Sequence, residues 1–146
     1  MTEIQSVYFL EPGSKNTEKT FEVAKRRAEE LGIKTIVVAS TSGETGLKAV
    51  KTFANYKVVV VTHTTGFRAP DVQELTQQNR DRILKKGGLI LTAAHSFGGV
   101  GRAVRRKFNT TQVDEIIAHA LRIFGQGTKV ACEIAAMAAD AGQVRT

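Results

Sequence analysis

The sequence predicts an α/β fold, a three-layer αβα sandwich around a mainly parallel sheet. Short runs of β-branched residues alternate along the chain with longer stretches whose apolar residues recur at helical spacing. The strands predicted at Thr35–Ala39 and Lys57–Thr62 have continuous apolar centres, which is typical of parallel strands covered by helices on both faces. Repeated strand–helix units need right-handed crossovers, and these give an open parallel sheet.

The first third of the chain contains two predicted strands and two predicted helices. Ser6–Leu10 is the first strand, and it ends at a Pro-Gly turn. A helix begins near Asn16, a candidate N-cap, and ends at Gly32, a common helix stop. Thr35–Ala39 is the second strand, and the apolar spacing from Leu47 to Phe53 predicts a short helix after it.

The rest of the chain continues the alternation. Lys57–Thr62 contains four consecutive valines and is the strongest strand. Asp71 is predicted to cap a long polar helix that ends at Lys85 and Lys86, where cations complement the helix dipole. Leu89–Thr92 is the fourth strand. Three helices follow: a basic one to about Phe108 and two with apolar stripes, at 113–124 and 129–139.

Composition limits the class of protein. The 146 residues are expected to form a single domain, residues 1–146, and their net charge of +7 favours an anionic partner such as a phosphorylated metabolite, a nucleic acid or an acidic protein. The one cysteine, Cys132, excludes an internal disulfide and is predicted to be a buried, inert thiol. The three histidines do not have metal-ligand spacing, so no metal site is expected. With no membrane-length apolar run and no signal-peptide pattern, the chain is predicted to be cytoplasmic, without a membrane partner.

The loop after the second strand is the first candidate ligand site. Its hydroxyls and a flexible glycine stand directly before a helix, where unpaired N–H groups and the positive end of the helix dipole attract phosphate. The alternative is that the serines and threonines only cap the helix. The candidate phosphate-binding residues are Ser40, Thr41, Ser42, Gly43 and Thr45.

Two loops after the third and fourth strands have similar chemistry, since each contains histidine, hydroxyls, phenylalanine and glycine. The candidates are His63, Thr64 and Phe67 in one loop and His95, Ser96 and Phe97 in the other. The histidines are expected either to meet across a pocket as hydrogen-bond donors or as an acid and base, or only to bond loop backbone. The phenylalanines are expected either to stack on a planar ring of a ligand or to cover the core.

The start of the basic helix is a further candidate anion site. Gly98 and Gly99 allow backbone N–H groups to approach an anion that Arg102 can also reach. The pattern is not the dinucleotide-binding fingerprint, which also needs an acidic residue after the next strand. The cations that follow, Arg105 to Lys107, are typical of a solvated helix face.

Four segments together resemble a known family, namely Val38–Thr45, Val59–Phe67, Ile123–Gly127 and Glu133–Gly142. They are similar to the C-terminal α/β domain of pyruvate kinase, and more closely to stand-alone archaeal and bacterial proteins built on that domain. The resemblance spans nearly the whole chain and implies this fold and a phosphate-binding loop from Ser40 to Thr45. Pyruvate kinase activity is not expected, because the catalytic barrel has no counterpart in this sequence. Relatives usually continue into further strands, so we expect the final strands to be missing and an uncovered surface to favour a homo-oligomer.

The expected function is therefore the non-catalytic binding of a phosphorylated small molecule at the carboxyl ends of the strands. A mononucleotide such as flavin mononucleotide (FMN) or a sugar phosphate fits this description. The alternative is an enzyme that acts on a phosphorylated metabolite with His63 and His95 as acid and base. Nucleic-acid binding through the basic helix ranks third, because the sequence contains neither an aromatic stacking platform nor a recognisable nucleic-acid motif.

Overall fold

The computed structural model describes residues 5–145, which form an α/β fold with three parallel strands. Two compact units make up the chain, with the division between Ile33 and Lys34. The strands are β1 (Thr35–Ala39), β2 (Lys57–Val61) and β3 (Leu89–Leu91). The helices are α1 (Thr17–Glu30), α2 (Glu44–Thr52), α3 (Gln77–Lys85), α4 (Val100–Phe108), α5 (Val113–Arg122) and α6 (Gln126–Asp140), with a 3₁₀ turn at Ser14–Asn16.

The first unit contains α1, close to where the sequence predicts a helix. Asn16 occupies the N-cap position, but its side chain does not cap the helix. Instead, its Nδ2 donates a hydrogen bond to the Glu11 carbonyl at 2.6 Å. α1 ends at Glu30, and Gly32 follows with φ 65°, a left-handed conformation that suits glycine after a helix.

The strand predicted at Ser6–Leu10 is wrong. These residues form no strand, and their exposed fractions include 90% for Tyr8 and 104% for Leu10. β-Propensity expresses how well a side chain fits a pleated, half-buried surface, and these side chains have no such surface. The sheet of the described residues therefore has three strands and not four.

The second unit contains the sheet, in the order β1-β2-β3 with both pairs parallel. The register pairs Val37 with Val59 and Val59 with Leu89. β2 lies in the centre, and its residues Val58–Val61 are buried. This explains the run of valines, because a central strand covered on both faces has no solvent side for polar residues.

Helices cover both faces of this sheet, which confirms the αβα layers. On one face, Val59 and Val61 pack with Ile134, Met137 and Ala138 of α6. On the other face, α2 packs on β1 and β2 and α3 packs on β3, and α2 approaches β2 so closely that a Cβ added at Gly46 would lie 2.6 Å from Cγ1 of Val60. α2 and α3 are the two crossover helices, and their position on one face follows from right-handed connections in a sheet with this strand order.

The polar helix α3 begins later than predicted. Its N-cap is Thr76, whose Oγ1 accepts a hydrogen bond from the Asn79 N–H at 3.3 Å. Asp71, the predicted cap, lies in the preceding loop with φ 59°. Aspartate tolerates this left-handed turn conformation better than most residues, and that preference competes with its preference for a helix N-terminus.

The prediction of a buried cysteine is also wrong, because Cys132 is exposed. α6 turns Ile134, Met137 and Ala138 toward the sheet, and a residue two positions before Ile134 lies about 200° around the helix from it. An apolar helix with a single buried face thus leaves this thiol in solvent.

No helix within residues 5–145 has both the length and the apolar character needed to cross a membrane.

Candidate functional site

The carboxyl ends of the three strands meet at one edge of the sheet. The ladder continues one residue beyond each of the first two strands, since the Ser40 N–H donates to the Val61 carbonyl and the Thr62 N–H to the Leu91 carbonyl, both at 2.9 Å. The loops at 40–43, 62–76 and 92–99 therefore begin side by side at this edge. Ligands of open parallel sheets bind at this position.

A cavity of about 210 Å³, here named the inner cavity, lies at this edge. The strand loops contribute Ser40, Thr41, Thr62, His63, Phe67 and His95 to its lining. Helices α4, α5 and α6 complete it, and their polar contributions are Arg102, Arg122, Gln126, Lys129 and Glu133. The cavity thus joins the predicted loops to helices α5 and α6, in which the sequence analysis placed no ligand-binding candidate.

The charge of the inner cavity favours an anion. Arg102, Arg122 and Lys129 line it, whereas Glu133 is its one acidic lining residue. The Arg122 Nε donates to the Gln126 Oε1 at 2.8 Å, which holds the guanidinium while leaving its terminal N–H groups for a ligand. Cations that converge on a partly enclosed site raise the local concentration of anions.

Lys129 and Glu133 form a buried ion pair on α6. The Lys129 Nζ lies 2.5 Å from the Glu133 Oε2, and the other carboxylate oxygen accepts the Phe97 N–H at 3.0 Å. This carboxylate therefore ties the loop between β3 and α4 to the helix. Sequence reasoning missed both residues, although a Lys and a Glu four positions apart on the apolar face of a helix are a recognisable signal.

His63 is oriented by a carboxylate. Its Nδ1 lies 2.7 Å from the Glu74 Oε2, and the Glu74 side chain is only 17% exposed. The Phe67 ring packs against the imidazole, with the two centroids 4.2 Å apart. Nothing in the sequence indicates that Glu74 contacts His63. Glu74 lies eleven positions later in an irregular loop, and only the conformation of that loop brings the two side chains together.

His95 is close to His63 but has a different environment. The ring centroids are 5.5 Å apart, and the His95 Nε2 accepts the Thr64 N–H at 3.4 Å. Burial lowers the pKa of His95 below its usual 6.5; the Glu133 carboxylate opposes this effect, and the Arg102 guanidinium adds to it. The structure therefore brings the two predicted histidines together, with His95 as a neutral imidazole at pH 7.

A second cavity, here named the outer groove, adjoins the inner cavity and has a volume of about 370 Å³. Phe67, His95 and Arg102 line both, so they form the wall between them. The Arg102 Cζ lies 4.8 Å from the centroid of the Phe67 ring. Gly98 leaves space for this arrangement, because a Cβ there would lie 2.6 Å from an Arg102 Nη2 that now fills the position.

The predicted site residues thus fall into three groups. Those lining the inner cavity are Ser40, Thr41, His63, Phe67, His95 and Arg102. Thr64, Gly98 and Gly99 line the outer groove. Those lining neither of the two cavities are Ser42, Gly43, Thr45, Ser96 and Phe97.

The Ser40–Thr45 loop has a structural role in part. The buried Ser40 Oγ accepts the Gly46 N–H at 3.0 Å and so caps α2. The Ser42 carbonyl accepts hydrogen bonds from the Asn79 Nδ2 at 3.0 Å and the Thr76 N–H at 3.3 Å, which fixes the loop on the start of α3. The structure thus has a feature in favour of each interpretation of this loop. Ser40 caps α2, as the capping interpretation expects, and Ser40 and Thr41 line the inner cavity, as the ligand-binding interpretation expects.

The basic helix α4 directs its cations to different neighbours. Arg102 lines both cavities, Arg106 lines the outer groove, and the Arg105 Nε pairs with the Glu115 Oε1 at 2.5 Å. Its charge is thus divided between the two cavities and a neighbouring helix. In the part of the chain that the structure describes, no group of three or more His, Cys, Asp or Glu side chains is placed to hold a metal ion.

Comparison with protein families connects this geometry to a known domain. The family model of the pyruvate kinase alpha/beta domain matches residues 18–143. The matched range contains all three strands and every residue named above as lining either cavity.

Proposed function

The chain belongs to the pyruvate kinase alpha/beta domain family, and on that premise we propose that it binds a phosphorylated small molecule with the phosphoryl group in the inner cavity. The observation that carries this proposal is the charge of the lining, where Lys129 and Glu133 neutralise each other and Arg102 and Arg122 leave an excess of positive charge. A phosphoryl group supplies the negative charge and the acceptor oxygens that such a lining needs.

Hydroxyl groups complete the proposed phosphate site. The Ser40 Oγ uses a lone pair to accept the Gly46 N–H, so its own hydrogen is available to donate to a ligand oxygen. Thr41 is exposed at the mouth of the cavity and adds a second hydroxyl. With the terminal N–H groups of Arg122, these donors surround a space large enough for a phosphoryl group.

The size of the ligand determines how much of the site it fills. At about 210 Å³ the inner cavity is smaller than the ~300–1,000 Å³ of typical ligand pockets. A small sugar phosphate would occupy mainly this cavity, whereas a mononucleotide such as FMN would also need the outer groove. Phe67, in the shared wall, is the aromatic side chain placed to stack on a planar ring.

Replacing Arg122 by Gln is expected to weaken the binding of inorganic phosphate about tenfold, because the variant loses a charge-assisted hydrogen bond worth roughly 1.5–3 kcal/mol, part of which water replaces. The fold should be unaffected, since Arg122 is exposed and its Nε bond to Gln126 is a surface contact. Isothermal titration calorimetry with phosphate, and then with FMN, would measure the change.

Arg80→Gln is the matched control, because it removes the same charge from an exposed position that lines neither cavity. It should leave the affinity for phosphate within about twofold, as expected for a screened, distant charge. Equal losses in the two variants would mean that only net charge attracts the anion, and the inner cavity would not be the site.

A second candidate function is catalysis with His63 and His95 as acid and base, which the approach of the two rings to 5.5 Å favours. We expect turnover of a phosphate ester to follow a bell-shaped pH profile. Its acidic limb should lie below pH 6.5, because His95 acts as a base only when neutral and burial lowers its pKa below that value. Steady-state rates from pH 4 to 9 would define both limbs.

His95→Gln should abolish this turnover, whereas His119→Gln, an exposed histidine that lines neither cavity, should retain the full profile. If no phosphate ester is turned over by the unchanged protein, the chain binds its ligand without catalysis.

The remaining partners follow from the surface. We propose a homo-oligomer, because α4, α5 and the turn after them expose large apolar side chains, among them Val100, Phe108, Val113, Ile123 and Phe124.

Nucleic-acid binding is less favoured, since the cations of α4 are divided among different neighbours. A phosphorylated metabolite as ligand also favours the cytoplasm as the location of this chain.

A further inference from the structure

His63 has the environment of a nucleophile. Its Nδ1 is held by the Glu74 carboxylate at 2.7 Å, which makes Nδ1 the protonated nitrogen and leaves the lone pair on Nε2. Within the described residues, Nε2 has no hydrogen-bond partner, and the half-buried ring lines the inner cavity. An imidazole whose second nitrogen is bound to a carboxylate is the arrangement that activates histidine in catalytic sites.

The surroundings of His63 suit the transfer of a phosphoryl group. Arg102 and Arg122 line the same cavity and would stabilise the charge that spreads over the equatorial oxygens of the transferred group. His95 stays neutral at pH 7 because burial lowers its pKa, so it does not repel a cation formed on the neighbouring ring. The cavity holds little more than a phosphoryl group and a short substituent, which indicates a small donor.

We propose that His63 accepts a phosphoryl group from a small acyl phosphate and forms a phosphohistidine, an inference that rests on the proposed phosphate site. The Nε2 lone pair attacks phosphorus, the N–P bond forms, and the bond between phosphorus and the acyl oxygen breaks. The carboxylate of the donor leaves with the electron pair and needs no proton. The imidazolium that results keeps its hydrogen on Nδ1, where it is hydrogen-bonded to the Glu74 carboxylate. The negative charge of this carboxylate balances the positive charge of the ring.

Glu74 is a positioning residue in this step. It fixes the tautomer that exposes the Nε2 lone pair and stabilises the positive ring after the transfer. Glu74→Gln keeps the size and one acceptor oxygen but loses the charge. We expect it to slow the labelling of His63 about tenfold or more and to leave the affinity for phosphate within about twofold, because Glu74 does not line the inner cavity.

The test is incubation of the full chain with acetyl phosphate, followed by intact-mass and peptide mass spectrometry under alkaline conditions, where an N–P bond survives. We expect one phosphoryl group on His63 that is lost in acid, which separates it from phosphoserine and phosphothreonine. His63→Gln should remove the label. His119 provides the control, since it is an exposed histidine that lines neither cavity and would carry the label if the reagent modified histidines without a site.

Calorimetry with inorganic phosphate on the same samples separates the two proposals. Phosphate binding without a label on His63 would overturn the phosphohistidine and leave the binding function in place. A label that is equal on His63 and His119, or that persists at another residue in His63→Gln, would overturn it as well. Failure to bind phosphate would contradict the proposed function itself, and the absence of labelling would then follow from it.

Discussion

Lys129→Met is expected to lower the free energy of unfolding by about 3–5 kcal/mol, the cost of leaving one member of a buried ion pair without its partner. Lys129 and Glu133 have exposed fractions of 4% and 5%, and their charged atoms are 2.5 Å apart. Methionine fills a volume close to that of the lysine stem, so the loss is mainly electrostatic. Urea denaturation followed by circular dichroism would measure it.

Two further variants isolate the cause of the loss. Lys129→Met with Glu133→Gln removes both charges but keeps an amide oxygen that can accept the Phe97 N–H, and it should recover most of the stability. Lys19→Met breaks a solvent-exposed pair with Glu22 and should cost much less, because water screens an exposed pair. If Lys129→Met costs no more than Lys19→Met, the buried pair does not have the energetic role described here.

Gly43→Val is expected to destabilise the fold by about 3 kcal/mol or more. Gly43 has φ 96°, and a β-branched residue in that region is strained by roughly 1–3 kcal/mol. A Cβ at this position would also lie 2.6 Å from both the Asn79 Cβ and the Leu75 Cδ1, so the loop and the start of α3 would have to separate. Thermal unfolding monitored by circular dichroism would report the loss as a lower Tm.

Gly66→Val is the matched control for this effect. Gly66 also has a positive φ, 85°, but nothing lies within 4 Å of the Cβ that it would gain. It should therefore cost only the backbone strain, and the difference between the two variants measures the packing at Gly43. Equal losses would show that the contacts with Leu75 and Asn79 relax at little cost.

This expectation changes the role that the sequence suggests for Gly43. Its place in a hydroxyl-rich loop before a helix favours a direct part in phosphate binding. In the structure Gly43 lines neither cavity, and its missing side chain makes room for Leu75 and Asn79. Its requirement for glycine therefore comes from its positive φ and from the packing of this loop against the start of α3.

Much of the fold follows from local patterns. The continuous apolar runs within 35–39, 57–61 and 89–91 lie in strands of the structure, since a strand covered on both faces tolerates such runs without a polar side. Their order along the chain already places the following loops at one edge of the sheet. The resemblance of four short segments was enough to indicate the family.

Local patterns failed where the outcome depended on a partner distant in sequence. Ser6–Leu10 has the composition of a strand, but a strand needs a neighbour and a surface to cover. Cys132 lies on an apolar helix, yet which side of that helix meets the sheet decides whether it is buried. Asp71 and Thr76 both have residue types that begin helices, and the conformation of the loop selected the second.

The sequence by itself determined the class of fold, the family and the edge of the sheet at which the candidate loops meet. The tertiary structure alone decided which side chains share the inner cavity: it placed Glu74 on His63, Glu133 on the Phe97 N–H, and Arg122 and Lys129 beside the strand loops. The physical reason is the distance along the sequence between the residues that come into contact. Helix and strand patterns reflect contacts between residues a few positions apart, whereas this site joins residues as far apart in sequence as Ala39 and Met137, which only the tertiary fold brings to one cavity.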